Sequence, residues 1–157
     1  MRFLLIILYL IISSSAVLAD KNSKQVTVTA DKVNVEDNSS VSVYSGNAKA
    51  NWGETYLTAD TIKIIHPDQK PKSIYIVGKP AFVSYMAPDK KNKIKGSANA
   101  MEYNLKTETL IMKGQAKIIN GKNKIRAEEI RINKKTGEMH ATSSKKSQVR
   151  IVFEINE

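Results

Sequence analysis

The chain has 157 residues, one domain's worth, of which 41% are hydrophobic and 25% charged; that composition excludes a disordered or low-complexity chain. It holds no cysteine, which excludes a disulfide framework, a thiolate metal site and a cysteine nucleophile. Lys and Arg number 25 against 15 Asp and Glu, a net charge of +10 and a pI near 9.7, so anionic partners are favoured, with nucleic acid, a membrane surface and an acidic glycolipid all open.

In chain order, residues 1–19 come first. Arg2 is a short positive start, residues 3–12 (FLLIILYLII) are an unbroken apolar run, and Ser13 to Ser15 lead to Val17-Leu18-Ala19. This is the layout of a secretory signal peptide, with cleavage expected after Ala19 and a mature domain at 20–157. The competing reading is a membrane anchor, but residues 3–19 lie at the bottom of the spanning range and contain three serines. No later segment is apolar enough to span a bilayer. Export weakens the nucleic-acid reading of the basic charge.

Beyond the signal, apolar residues follow a period of two. Val26, Val28 and Ala30 alternate with polar residues, as do Val33 and Val35, Ile62 and Ile64, Ile130 and Ile132, and Val149, Ile151 and Phe153. This spacing predicts half-buried strands. Turn residues recur every eight to twelve positions, including Trp52-Gly53, His66-Pro67-Asp68, Asn120-Gly121 and Thr136-Gly137, so the chain reads as an all-β sandwich, roll or barrel. The apolar parity switches at Ala30-Asp31 and again at Gly46-Asn47. A one-residue phase change sends side chains to the other face unless the backbone bends, so both positions are expected to be corners. Shifting the chain by 68 residues lays Val26 to His66 on Ile94 to Lys134 without a gap, matching Ala30 to Ala98, Gly46 to Gly114, Gly53 to Gly121 and Ala59 to Ala127. The chain is therefore expected to hold two half-domains of one design.

Little in the sequence carries chemistry. His66 stands before a proline in a turn and His140 in a strand-like stretch, and each is expected to be solvated. Asp31, Asp60 and Glu128 each follow an alanine at a corner, which suits turn hydrogen bonds better than a pair of converging catalytic carboxylates. There is no phosphate-binding glycine loop, metal-ligand cluster or nucleophile elbow, so neither catalytic residues nor a metal or cofactor is expected. Basic residues cluster at Lys90, Lys91, Lys93 and Lys95, at Lys117, Lys122, Lys124 and Arg126, and at Lys145, Lys146 and Arg150. They read either as solvated charge or as attraction for phosphates or carboxylates at the mouth of a groove. The sparse aromatics make no stacking platform for single-stranded nucleic acid.

Ordered blocks along the chain carry a resemblance: VTVTADKVNV (26–35), VYSGNAKANWGETYLTADTIKI (43–64), GKPAFVSYM (78–86), IKGSANAMEYNL (94–105), LIMKGQAKI (110–118) and NKIRAEEIRI (123–132). They resemble the OstA-like LptA family of lipopolysaccharide transport proteins over essentially all of 20–157. The resemblance implies a twisted, slightly open β-jellyroll of about sixteen short antiparallel strands. It also implies a periplasmic, non-enzymatic protein of the Gram-negative envelope that binds lipopolysaccharide through its lipid A moiety and carries it towards outer-membrane assembly. The implied partners are LptC on the inner-membrane side, LptD on the outer-membrane side and further copies of itself, head to tail. On the matching motifs, the lipid-contacting positions are Val26, Val28, Val83, Tyr103 and Leu105. The chain departs from the family in being more basic and in ending at Glu157 without the polar tail many members carry.

Two edges are expected to be free for assembly: Val26 and Val28 in the N-terminal strand, and Val149, Ile151 and Phe153 in a C-terminal strand over 148–155. Inward alanines (Ala48, Ala50, Ala59, Ala116, Ala127) either leave room for acyl chains or let the sheets pack closely. Two other readings compete. One is a membrane-anchored LptC-like member of the same superfamily. The other is a periplasmic carbohydrate-binding or scaffold β-protein that holds no lipid.

Overall fold

The computed structural model describes residues 25–36, 40–144 and 147–153; the expected signal peptide lies outside them. Among the described residues no helix is long and apolar enough to cross a membrane. The chain forms β1 (Val26–Thr29), β2 (Lys32–Glu36), β3 (Val41–Trp52), β4 (Thr55–Ile65), β5 (Ser73–Met86), β6 (Lys93–Asn104), β7 (Thr109–Asn120), β8 (Asn123–Asn133), β9 (Met139–Thr142) and β10 (Arg150–Val152), with a short 3-10 turn at Pro67–Gln69. One antiparallel sheet holds all ten in the order β1-β3-β4-β5-β6-β7-β8-β10, with β2 also on β3 and β9 also on β8. From β2 to β9 each strand pairs with the next in sequence, and β1 and β10 join β3 and β8 on the same outer rungs as β2 and β9, so the topology is an open meander.

The meander is bent across its middle. Register shifts fall at Ser45/Ala48, Thr58/Thr61, Val77/Ala81, Ser97/Ala100 and Lys113/Ala116, one on each long pairing. The parity switch at Gly46-Asn47 is the first of these corners, and the one at Ala30-Asp31 is the break between β1 and β2. At the Gly46-Asn47 corner φ is +77° and +44°, and at its repeat Gly114-Gln115 it is +73° and +54°, a left-handed pair in which glycine removes the Cβ clash. A Cβ on Gly46 would also stand 2.6 Å from the Asp31 carboxylate. That carboxylate accepts a 2.7 Å hydrogen bond from Asn47 Nδ2, and the Asp31 amide donates to the Gly46 carbonyl at 2.9 Å. Asp31 thus closes its corner as expected. The carboxylates of Asp60 and Glu128 make no such bond among the described residues; at Glu128 it is the backbone amide that donates, to Ser143 Oγ at 3.3 Å.

Bending divides the sheet into two leaves. Leaf one carries β2, β9 and the halves of the long strands nearest them; leaf two carries β1, β10 and the other halves. Six long strands plus two broken outer rungs, each bent once, account for the roughly sixteen short segments of the expected jellyroll, although hydrogen bonding runs through most corners and leaves ten strands. The 68-residue repeat is geometric. Adding 68 to the bounds of β3 and β4 gives the bounds of β7 and β8, and the pair Val26↔Trp52 becomes Ile94↔Asn120. The repeat extends to the last strand, where Leu57↔Val83 becomes Ile125↔Ile151. At that outer rung the tight corner of β5 is replaced by a longer excursion between β9 and β10.

The inner faces of the leaves pack on each other. Leaf one supplies Ile62, Ile64, Ile74, Ile76, Met112 and Ile130; leaf two supplies Leu57, Val83, Tyr85, Ile94 and Ile118, all buried. Gly96 marks where the leaves meet, since a Cβ there would come within 2.9 Å of Met112 Cε and 3.0 Å of Ile118 and Val83. The alanines form cross-strand pairs along the crease, Ala48↔Ala59, Ala81↔Ala98 and Ala116↔Ala127, and most are fully covered. Their small size lets the leaves close at the crease, the second of the two readings of these residues.

Two expectations need correction. Val33 and Val35 are 51% and 52% exposed: they sit on the inner face, opposite Tyr44 and Ser42, but β2 is the rim of an open sheet and none of the described residues covers it. The C-terminal strand is also shorter than 148–155. β10 holds only Arg150–Val152, with Val149 and Phe153 outside it. Its partner β8 offers only Lys124 to Arg126 between the hairpin turn and the corner at Ala127. Ile155 lies outside the described residues.

Candidate functional site

Among the described residues the inner face gathers the apolar core into one extended surface, and its outer rungs are only partly covered. On β1, Val26 and Val28 pair with Trp52 and Ala50 and are half-buried against the core. Val83 is buried on β5 opposite Leu57 and Gly96. Tyr103 is buried on leaf one opposite Ile74 and Leu110, and Leu105, just past β6, is half-buried against the same core. All five expected lipid-contacting positions therefore face inward, two on the first rim and three further in. At the far rim Ile151 points inward opposite Ile125 yet is 47% exposed, and Phe153 is 66% exposed. Val149 is half-buried.

Sequence reading missed what holds the tips of the leaves together. A cleft of about 380 Å³ opens between them, lined by Trp52, Thr55, Met86, Tyr103, Glu108 and Lys134 among others. Lys134, in the turn after β8 on leaf one, reaches across it, and its ammonium donates a 2.7 Å hydrogen bond to Thr55 Oγ1 on leaf two. The same ammonium lies 4.7 Å from the ring centre of Tyr85, 5.2 Å from Tyr103 and 5.9 Å from Trp52, within cation–π range of all three. Trp52 and Tyr103 stack across the gap with centres 5.4 Å apart at 30°. Together these contacts form a clasp over the open side, opposite the crease. The signals were the lone tryptophan and the end of the repeat, where Lys134 falls on His66.

Burial governs the ionisation of the clasp. The Tyr103 phenol is pushed up to about 12 by desolvation first and then by the nearby Glu108 carboxylate, with hydrogen bonding from Trp52 opposing. Tyr85 is raised too, by desolvation and then by Tyr103, and its buried hydroxyl has no hydrogen-bond partner among the described residues. Tyr75, on the outer face, is raised by the Glu102 carboxylate and secondarily by burial. His66 is not simply solvated, since its Nε2 lies 2.8 Å from the buried Ser42 hydroxyl. His140 is exposed as expected, with Nε2 2.9 Å from Glu138 Oε1.

Fold and site together define an open β-jellyroll whose distinctive surface is a long apolar inner face. The model of the family described as LptA/(LptD N-terminal domain) LPS transport protein matches residues 27–138, most of the chain, and the chain belongs to that family. It is 26% identical over 121 residues to the lipopolysaccharide export system protein LptH of Pseudomonas aeruginosa, covering 75% of this chain and 68% of that one. Its structure superposes on the crystal structure of LptH, the LptA-homologous periplasmic component of the lipopolysaccharide transport device of the same organism. The TM-score is 0.77 at 23% identity over 84% of this chain and 96% of that one, a likeness of fold.

Proposed function

We propose that this protein is a periplasmic carrier that binds lipopolysaccharide along its inner face and bridges the inner and outer membranes. The observation that carries the reading is the inward apolar surface that runs from Val26 and Val28 through Val83 and Tyr103 to a far rim where Ile151 stays exposed. Exposing one acyl chain of about twelve carbons to water costs roughly 10 kcal/mol at about 0.8 kcal/mol per CH₂. A carrier therefore has to offer continuous apolar cover, and an open sheet lets the sugar portion hang outside. The inner face is filled by its own side chains, so cargo enters by parting the leaves and exchanging side-chain contacts for acyl contacts, with the clasp as the part that gives. The role needs no catalytic group, metal or cofactor. The partners are an LptC-type protein at the inner membrane, an LptD-type protein at the outer membrane and further copies of this chain.

Photocrosslinking from Val28 or Tyr103 in living cells tests this, with adducts probed for lipopolysaccharide. An adduct at both positions is expected, and neither from an outward control at Thr27. Val28→Asp places a charge among acyl chains at a cost of several kcal/mol. It should abolish lipid binding while circular dichroism still shows β-structure, and undiminished binding by the folded variant would remove the groove assignment.

A further inference from the structure

The outer faces of the two leaves differ in a way the inner face does not explain. On leaf two, register aligns outward side chains in two transverse rows. The first runs Lys49, Thr58, Phe82, Ser97, Lys117, Arg126, Arg150, and the second runs Tyr56, Ser84, Lys95, Ile119, Lys124, Val152. Lys93 adds another positive charge beside them at the start of β6. Neither row contains a carboxylate; the acids that flank the rows in sequence are Glu54 in a turn, Asp60 and Glu128 at the crease, Asp89 in the turn before Lys93, and Glu154, which follows Val152 by two residues and lies outside the described residues. None of these basic side chains makes an ion pair among the described residues, whereas on leaf one Lys113 and Arg131 both pair with Glu129, at 3.6 and 3.7 Å.

Arg126 is the direct cross-strand neighbour of both Lys117 and Arg150. Like charges directly opposite destabilise a sheet, so folding alone does not favour this arrangement. Apolar groups are interleaved with the charges. Phe82 is 54% exposed, Tyr56 45% and Val152 43%, and shallow clefts of about 180 and 140 Å³ flank Phe82.

We infer that the outer face of leaf two is a docking surface for a bilayer bearing anionic phospholipid headgroups. Each row crosses six or seven strands, about 25–30 Å at the usual strand spacing, and presents a rigid sheet face to a plane of phosphates. Most of the charges are lysines, point charges on flexible stems that can follow phosphates in any orientation, with Arg126 and Arg150 able to hold one bidentately. Phe82 and Tyr56, among lysine stems, match the depth at which amphipathic side chains settle in an interface. This inference does not depend on the cargo carried by the inner face.

Co-sedimentation of the purified protein with vesicles tests it. Binding to phosphatidylcholine vesicles containing phosphatidylglycerol, reversed by high salt, is expected, with little binding to phosphatidylcholine alone. Each basic residue at an anionic membrane is worth about a fivefold change, so Lys117→Gln/Arg126→Gln/Arg150→Gln should weaken partitioning roughly a hundredfold. Its thermal midpoint should hold or rise, because like charges are relieved. Lys95→Gln/Lys124→Gln should weaken binding about 25-fold and decides the matter if the triple variant does not fold. Phe82→Ser should weaken binding at low salt while leaving its salt dependence unchanged. Lys32→Gln/Lys63→Gln/Lys106→Gln removes as much charge from elsewhere and should leave binding within about twofold of the parent. An equal loss in that control, equal binding to uncharged vesicles, or no vesicle binding at all overturns the inference; the last is the outcome expected of a surface built for an acidic protein.

Discussion

At the scale of single residues, the side chains that decide how the molecule opens are those of the clasp. Tyr85 carries a buried hydroxyl with no hydrogen-bond partner among the described residues, and such a group costs about 1–3 kcal/mol. Tyr85→Phe keeps the ring under Lys134 and removes the orphan, so it should raise stability by about 1 kcal/mol in urea denaturation; a clear loss would mean that the hydroxyl is satisfied. The same burial gives a pH signature. The folded phenol of Tyr103 holds its proton to about 12, against an ordinary value of 10.0, and Tyr85 is shifted the same way. Above the ordinary value the folded state therefore binds more protons than the unfolded one, and stability falls with pH there. Denaturation midpoints should be unaffected by these phenols below about pH 10 and decline as pH rises through 12. Tyr103→Phe should flatten that decline. The lone tryptophan and the end of the repeat marked two members of the clasp, but not that they meet. Lys134 reaches Thr55 over 79 residues of sequence, and no local pattern encodes that approach.

At the scale of elements the sequence was far more informative, because a strand advertises itself by period and a corner by a break in period. The switch at Gly46-Asn47 and the 68-residue repeat located corners that the structure builds with left-handed backbone. What failed was extent. Val33 and Val35 have the alternation of covered strand residues, but cover depends on a neighbour that the rim of a sheet lacks. Likewise β10 stops where β8 stops offering partners. The outward rows of leaf two were visible only as clusters of lysine, since their alignment depends on register. The corner makes a graded prediction. Gly46 and Gly53 both have positive φ, +77° and +55°, but a Cβ at Gly46 meets the Asp31 carboxylate at 2.6 Å while one at Gly53 meets nothing within 4 Å. Gly53→Ala should therefore cost only the backbone strain, about 1–2 kcal/mol. Gly46→Ala should cost more, since Asp31 must move and lose its bond to Asn47. Denaturant midpoints giving the reverse order would show that the corner is not fixed by this contact.

At the scale of the whole molecule, the repeat prescribes how one copy would join the next. Within the chain β5 pairs with β6, and Val83 lies opposite Gly96. The repeat places Ile151 of β10 where Val83 stands, and 68 residues before Gly96 is Val28 of β1. Both β1 and β10 are edges with one neighbour each, and neither strand contains a proline or an acidic residue that would block a partner. If a second copy continues the sheet with the internal register, Ile151 falls opposite Val28 of that copy. Met139 and Ala141 then come alongside its Val35 and Val33, covering the rim that is exposed in one copy alone. Such a contact joins unlike edges and therefore propagates as an open filament. The chain has no cysteine, so the register can be read covalently. Directly opposed residues of antiparallel strands lie about 4.5–5.5 Å apart, within disulfide reach. Val28→Cys/Ile151→Cys should give, on mild oxidation of concentrated protein, a ladder of reducible oligomers. Thr27→Cys/Ile151→Cys puts the two thiols on opposite faces of the joined sheet and should give none. The single Ile151→Cys variant should stay uncrosslinked, because its edge meets Val28 and not itself. Covalent dimers from that single variant would mean that like edges pair, and no ladder from the first variant would mean that the copies do not continue one another's sheet.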